Sequence, residues 1–179
     1  MRENMGLYRG KRKDNGEWIE GYLCRKYFAE SPHDRCAIQY ETTGNEYKWT
    51  PKYMTAEVIP ETIGEFTGLY DNTKWEKLTK KEQSDWLKNH TADEWKGRKI
   101  FEGDIVDAVY KSGYVGIPDT PFGKGVIVYG DSYYHGASYG IDIIGESGLR
   151  VFSASLDGGV EIIGNIHDNP ELLEVRENG

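Results

Sequence analysis

Cysteine is scarce in this chain of 179 residues: Cys24 and Cys36 are the only two, and they stand in no CxxC arrangement. That spacing encodes neither a disulfide framework nor a cysteine-based zinc site, so reduced thiols are expected. Long apolar runs are missing as well. The longest, such as "GVIVYG" at 125–130, are far too short to span a bilayer. The opening stretch "MRENMGLYRGKRKDNGEW" lacks the apolar centre of a secretory signal. These absences predict a soluble, cytoplasmic protein with no membrane partner. Spacings that carry chemistry are equally thin. His33, His90, His135 and His167 form no HxH or HExxH pattern, and Ser153 and Ser155 sit in "FSAS" without a GxSxG elbow. The Gly-Lys-Gly of "PFGKGVIVYG" lacks the Ser or Thr of a phosphate loop and precedes a strand pattern, so it reads as a flexible connector. No cofactor, no metal and no enzymatic activity are expected. Basic residues, finally, are scarce at one end. Residues 1–60 hold 10 Lys and Arg against 9 Asp and Glu, 61–99 hold 8 of each, and 100–179 hold 4 against 13. An acidic C-terminal part repels phosphate backbones and disfavours nucleic acid as its partner.

What is present is mostly strand grammar, in a chain long enough to bury about 70% of its unfolded surface. "GLYRGKR" and "EWIEGYL" flank an Asn-Gly signal for a tight turn, and "RCAIQYE" resumes after the break at "SPHD". Pro60, between "AEVI" and "ETIGEFTGL", confines any strand there to an edge or a strand start. Residues 73–96 contain neither Gly nor Pro, and Thr79 precedes Glu82 by the three residues of a capping box, which predicts a short helix over about 79–89. Trp75, Leu78, Trp86, Leu87 and Trp95 supply its apolar face. Beyond Gly97, "DIVDAVY", "GVIVYG", "SYGIDII", "LRVFSAS" and "VEIIGNI" alternate with glycine-rich joints, the pattern of a small, closed or partly closed barrel. Asn169 and Pro170 suit the start of one last helical stretch. "ETIGEF" at 61–66 and "EIIGNI" at 161–166 are either equivalent strands or two ordinary strand endings.

Four segments in order, "YRGKRKDNGEWIEGYL", "VIPETIGEFTGLYD", "GRKIFEGDIV" and "EIIGNIHDNPELL", resemble the YopX family of phage and prophage proteins. The resemblance reaches both ends of the chain. It departs from the family pattern between Tyr70 and Gly97, where about 25 residues are inserted. It implies a mainly β protein with minor α content, an SH3-like small barrel in the C-terminal part, and a phage or prophage origin. It implies no catalytic residue. The expected organisation is an N-terminal antiparallel β subdomain over 1–69, an inserted helical segment over 70–99 and the barrel over 100–179.

Three places merit attention as sites. Gly103-Asp104 opens "DIVDAVY"; glycine accepts a left-handed turn and aspartate bonds local amides, so Asp104 reads as a strand-entry device rather than as an acid paired with Glu102. Arg9, Lys11, Arg12 and Lys13 beside Trp18 could hold phosphates and stack bases, although a solvated hairpin tip explains them more simply. Tyr133, Tyr134, His135 and Tyr139 crowd one joint, as a protein interface or as an unpartnered rim. The expected function is a non-enzymatic, self-associating interaction module that engages a host or phage protein. Nucleic-acid binding by the N-terminal hairpin is the alternative.

Overall fold

A computed structural model describes residues 6–26, 35–41, 53–110, 120–132, 136–145, 150–152 and 159–174. The chain divides into two compact units, Met1–Phe66 and Thr67–Gly179. Antiparallel strands dominate both, with one short α-helix, so the molecule is mainly β as the alternation predicts.

In the first unit β1 (Leu7–Lys11), β2 (Trp18–Lys26), β3 (Arg35–Glu41) and β4 (Tyr53–Glu57) form a meander, and the opening residues of β5 (Gly64–Tyr70), Gly64 and Glu65, return along β1, giving the order β4-β3-β2-β1-β5. The β1–β2 turn is wider than the Asn-Gly signal predicts, because pairing stops at Lys11↔Trp18. A two-residue turn of the expected type needs positive φ at both central residues, and Asn15 keeps a negative one. Its side-chain Oδ1 instead accepts the Glu17 N–H at 3.0 Å, while Gly16 N–H donates to Arg12 O at 3.0 Å.

After β4 the chain leaves β3 and turns onto β1. Val58 bridges Arg12, Lys13 N–H donates to Glu57 O at 3.0 Å, and Ile59 N–H donates to Lys11 O at 2.8 Å. Pro60 then opens a 3-10 turn, Pro60–Thr62. Lys11 N–H, left over by that turn, is met by Thr62 Oγ1 at 2.9 Å. The sheet therefore curls about Ile38 and Val58, both fully buried. Gly21 lets β2 and β3 approach: a Cβ there would lie 2.0 Å from Gln39 O. The β2–β3 register sets Cys24 opposite Ala37 and Cys36 opposite Arg25, so the two thiols occupy opposite faces and no bridge can form.

The second unit holds β6 (Lys99–Phe101) and a sheet of β7 (Asp104–Tyr110), β8 (Thr120–Ser132), β9 (Gly136–Ile143), β10 (Arg150–Phe152) and β11 (Val160–Asn165), in the order β10-β9-β8-β7-β11. These are the five expected strands, but the SH3-like closure is not met. β10 and β11 stand at opposite edges and do not pair among the described residues. The outer edge of β11 is occupied instead: Asn72 N–H donates to Val160 O at 2.9 Å and Ile162 N–H to Asp71 Oδ2 at 3.3 Å. The Gly-Lys-Gly stretch is not a connector either. It lies within β8, with Lys124 opposite Asp107, beside a register shift at Ala108/Val109. Glycine reads there as a breaker, yet Gly125 is required by packing, since its Cβ would meet Ile141 Cγ2 at 2.3 Å. One face of the sheet carries Val106, Ala108, Ile127, Ile141, Ile143 and Val160, which with Ile100 form the core. Burying each such aliphatic side chain is worth about 1.5–3 kcal/mol.

Asp104 does mark a strand entry. It is 1% exposed, its Oδ2 accepts Phe101 N–H at 2.8 Å, and Gly103 takes a φ of 81° at the turn before it. The echo between 61–66 and 161–166 carries no structural equivalence: the first begins in the 3-10 turn, the second lies in β11. The last helical stretch, at Pro170–Leu173, is 3-10 rather than α.

Between β5 and β6 lies the helix α1 (Lys80–Trp86). Its N-terminus is the expected capping box: Thr79 Oγ1 accepts Glu82 N–H at 3.3 Å and Glu82 Oε2 accepts Thr79 N–H at 2.8 Å. It stops at Leu87, earlier than expected, where Asn89 and His90 N–H groups both return to Trp86 O. Leu87 is left 53% exposed and joins no apolar face. The tryptophans are covered by one another, Trp95 standing edge-on to Trp86 at 5.0 Å and to Trp75 at 6.1 Å.

This segment should loosen in acid. The Glu82 carboxyl is held below the usual range by its hydrogen bond from Thr79, Asp85 by its bond from Lys88, and Glu94 by the Thr91 backbone amide. Folded values below unfolded ones mean stability present above the unfolded carboxylate range and lost as pH falls through the folded values. Tryptophan emission followed from pH 6 to pH 2 should shift in that window, and the shift should move to higher pH in Glu82→Gln.

Candidate functional site

The basic hairpin splits in two. Arg9 and Lys11 alternate on β1, Lys11 lies opposite Trp18, and all three share one face of the sheet. Arg9 Cζ sits 4.9 Å and Lys11 Nζ 5.4 Å from the Trp18 ring centre. Arg12 and Lys13 do not join them. The Arg12 Nε–H donates to Asp14 Oδ1 at 2.8 Å, a bond that raises the guanidinium above its ordinary value and lowers the Asp14 carboxyl. Lys13 Nζ stands 3.9 Å from Glu57. Of the tyrosine cluster, Tyr133, Tyr134 and His135 lie outside the described residues. Tyr139 packs against the core of the second unit and stands edge-on to Tyr129, its cross-strand partner, at 5.1 Å. Tyr129 is 56% exposed.

Two recesses emerge that the sequence did not mark. The first, of about 400 Å³, runs beside β4 and is lined by Arg12, Lys13, Tyr40, Met54, Thr55 and Ala56 among others. Its backbone wall is unusual. Val58 N–H donates to Cys36 O, so in this antiparallel pair Ala56 and Met54 also direct their backbone groups to β3, whereas Tyr53, Thr55 and Glu57 direct theirs away. Glu57 O is taken by Lys13, but among the described residues nothing meets Thr55 N–H or C=O. Tyr53 and Met54 flank it, 48% and 45% exposed. The alternation of "YMTAE" is the signal that was missed.

The second recess, of about 650 Å³, belongs to the second unit and is lined by Asn72, Lys74, Trp75, Glu76, Trp95 and Lys96 among others. Its base is fixed by Asp71, which is 2% exposed. The Oδ1 atom accepts N–H groups of Thr73 (3.0 Å) and Arg98 (2.7 Å), and Oδ2 accepts the Thr73 hydroxyl (2.6 Å) besides Ile162 N–H. The Trp95 indole N–H donates to Thr73 O at 2.8 Å, which locks the ring onto this turn. "DNT" at 71–73 is an Asx-turn signature, legible but not read as an anchor. No group of His, Cys, Asp and Glu side chains suited to a metal ion occurs among the described residues. Nor is any described helix long and apolar enough to cross a membrane.

No curated protein and no solved structure matches the chain. A family described as YopX protein matches residues 80–174. The N-terminal segments that carry the resemblance lie outside that range, whereas "GRKIFEGDIV" and "EIIGNIHDNPELL" lie within it. The stretch expected to depart from the family pattern overlaps the match from residue 80 onward. With just over half of its length matched, the chain belongs to the YopX family.

Proposed function

We propose that the protein is a non-enzymatic interaction module of phage or prophage origin, and that it recruits another polypeptide in the host cytoplasm by adding an extended segment to β4. In the N-terminal unit β4 is the end strand of the meander, and β5 returns to β1. The observation that carries this reading is Thr55, whose backbone donor and acceptor face outward beside a recess bearing Met54 and Tyr40. Main-chain bonds to such an edge supply affinity, and alternate side chains entering the recess supply selectivity.

Thr55→Pro tests it. Proline removes an N–H that β3 does not use, and edge positions of this kind tolerate it. The variant should therefore retain stability to within about 1 kcal/mol yet lose its partner, or its self-association, in pull-downs and light scattering. Retention of every partner by a folded Thr55→Pro protein would sink the reading. Nucleic-acid binding by the N-terminal hairpin stands second. Arg9 and Lys11 over Trp18 favour it, but Arg12 and Lys13 lean on carboxylates and release fewer counterions.

A further inference from the structure

The recess over Trp75 and Trp95 combines three properties: an aromatic floor, two flanking lysines and a volume of about 650 Å³. We infer that it is a nucleotide site, in which a base lies against the tryptophan floor while phosphate oxygens are met by Lys74 and Lys96.

Size and shape come first. Small-molecule sites run to about 300–1,000 Å³ and are lined by aromatic groups with a few placed polar ones. In the row of three indoles Trp95 stands in the middle, edge-on to both neighbours, and Trp75 forms one end. The recess touches Trp75 and Trp95 but not Trp86. Trp86 is further occupied by His90, stacked on it at 4.1 Å. Trp75 is half-buried, and the part of it that lines the recess is where a planar base would gain stacking energy.

Charge then selects the ligand. Residues 73–99 hold 8 Lys and Arg against 5 Asp and Glu, a net positive stretch of an acidic chain. Several of those cations are already engaged: Lys77 with Glu161 at 3.1 Å, Lys88 with Asp85 at 2.6 Å, Arg98 with Glu82 at 2.9 Å. Lys74 and Lys96 are exposed and have no ion-pair partner among the described residues. Two carboxylates border the recess as well. Asp71 spends both oxygens on four donors, so its charge is largely compensated. Glu76 is exposed and can accept from a sugar hydroxyl or an exocyclic amine. A phosphate-bearing ligand with donor groups answers this set better than an apolar one. Asn72, exposed at the rim, offers both an amide donor and an acceptor to a base edge.

The same chemistry is presented by a free nucleotide and by a single strand of nucleic acid. The test uses the full chain with two probes, adenosine monophosphate and a fluorescein-labelled oligothymidylate, read by tryptophan quenching and by polarisation at 50 mM salt. Saturating quenching by the mononucleotide, with the oligomer binding no tighter, identifies a free nucleotide as the occupant. Oligomer binding that weakens steeply with salt, with poor mononucleotide binding, identifies a strand. In either case Lys74→Ala/Lys96→Ala, both surface changes, should weaken binding on the order of tenfold and reduce the single-strand salt slope by about 1.4. Lys80→Ala/Lys81→Ala, exposed on α1 and outside the recess, should leave binding unchanged. The inference is overturned if neither probe registers, or if Lys74→Ala/Lys96→Ala leaves the signal as it was. Neither result bears on Thr55, which lies in the other unit.

Discussion

Replacing Asp71 with alanine is expected to lower the unfolding free energy by about 3–5 kcal/mol, the largest loss foreseen for any polar residue in the chain. The reasoning is a count of orphaned donors. One carboxylate serves the N–H groups of Thr73, Arg98 and Ile162 and the hydroxyl of Thr73. Alanine leaves all four without an acceptor, and each buried, unmet polar group costs about 1–3 kcal/mol less whatever water can enter. Asparagine should fall between, because it keeps one acceptor oxygen but turns an NH₂ toward other donors. The tryptophans report the change directly, since Trp95 is bonded to Thr73 O. Urea titrations followed by tryptophan emission provide the measurement. A loss below about 1 kcal/mol would mean that Asp71 is decoration on a turn held by other contacts.

Gly21→Ala should cost about 3 kcal/mol, at the upper end of what overpacking a core commonly does. Most alanine substitutions in a strand are mild, and removing a glycine usually helps by restricting the unfolded chain. Here the added carbon would fall 2.0 Å from Gln39 O and 2.8 Å from Gln39 C. Those atoms belong to the backbone of β3, so no rotamer change relieves the contact and the two strands must part. Parting them disturbs Ile38, which also lies 2.9 Å from the new carbon. Gly16→Ala is the informative comparison, because its Cβ would meet nothing within 4 Å and only the positive φ opposes it. Denaturant midpoints should therefore rank wild type, then Gly16→Ala, then Gly21→Ala. Equal midpoints for the two variants would remove the steric argument.

How far the sequence announced this arrangement depends on whether the deciding interaction is local. The capping box of α1 needs only residues 79–82, and it was legible. So was the strand entry at Gly103-Asp104, which needs only a turn glycine and the carboxylate beside it. The β1–β2 turn misled because Asn15 satisfied its neighbourhood with a side-chain bond instead of a left-handed backbone. Gly125 misled for a longer-range reason, a strand position whose smallness is imposed by Ile141 from β9. The barrel closure expected after residue 100 is pre-empted by Asn72, a residue read as part of an excursion. Neither recess could be foreseen. Trp75 and Trp95 converge only once α1 has turned the chain back, and the outward parity of Thr55 follows from which β3 residue Val58 meets.

The placement of the two thiols has a practical sequel. Because β2 and β3 hold Cys24 and Cys36 on opposite sides of one ribbon, an oxidant can link this protein only to another molecule, never to itself. Aged samples should thus run as reducible dimers on gels. A maleimide dye would find two chemically separate attachment points, one above the sheet and one beneath, suited to watching each surface in turn.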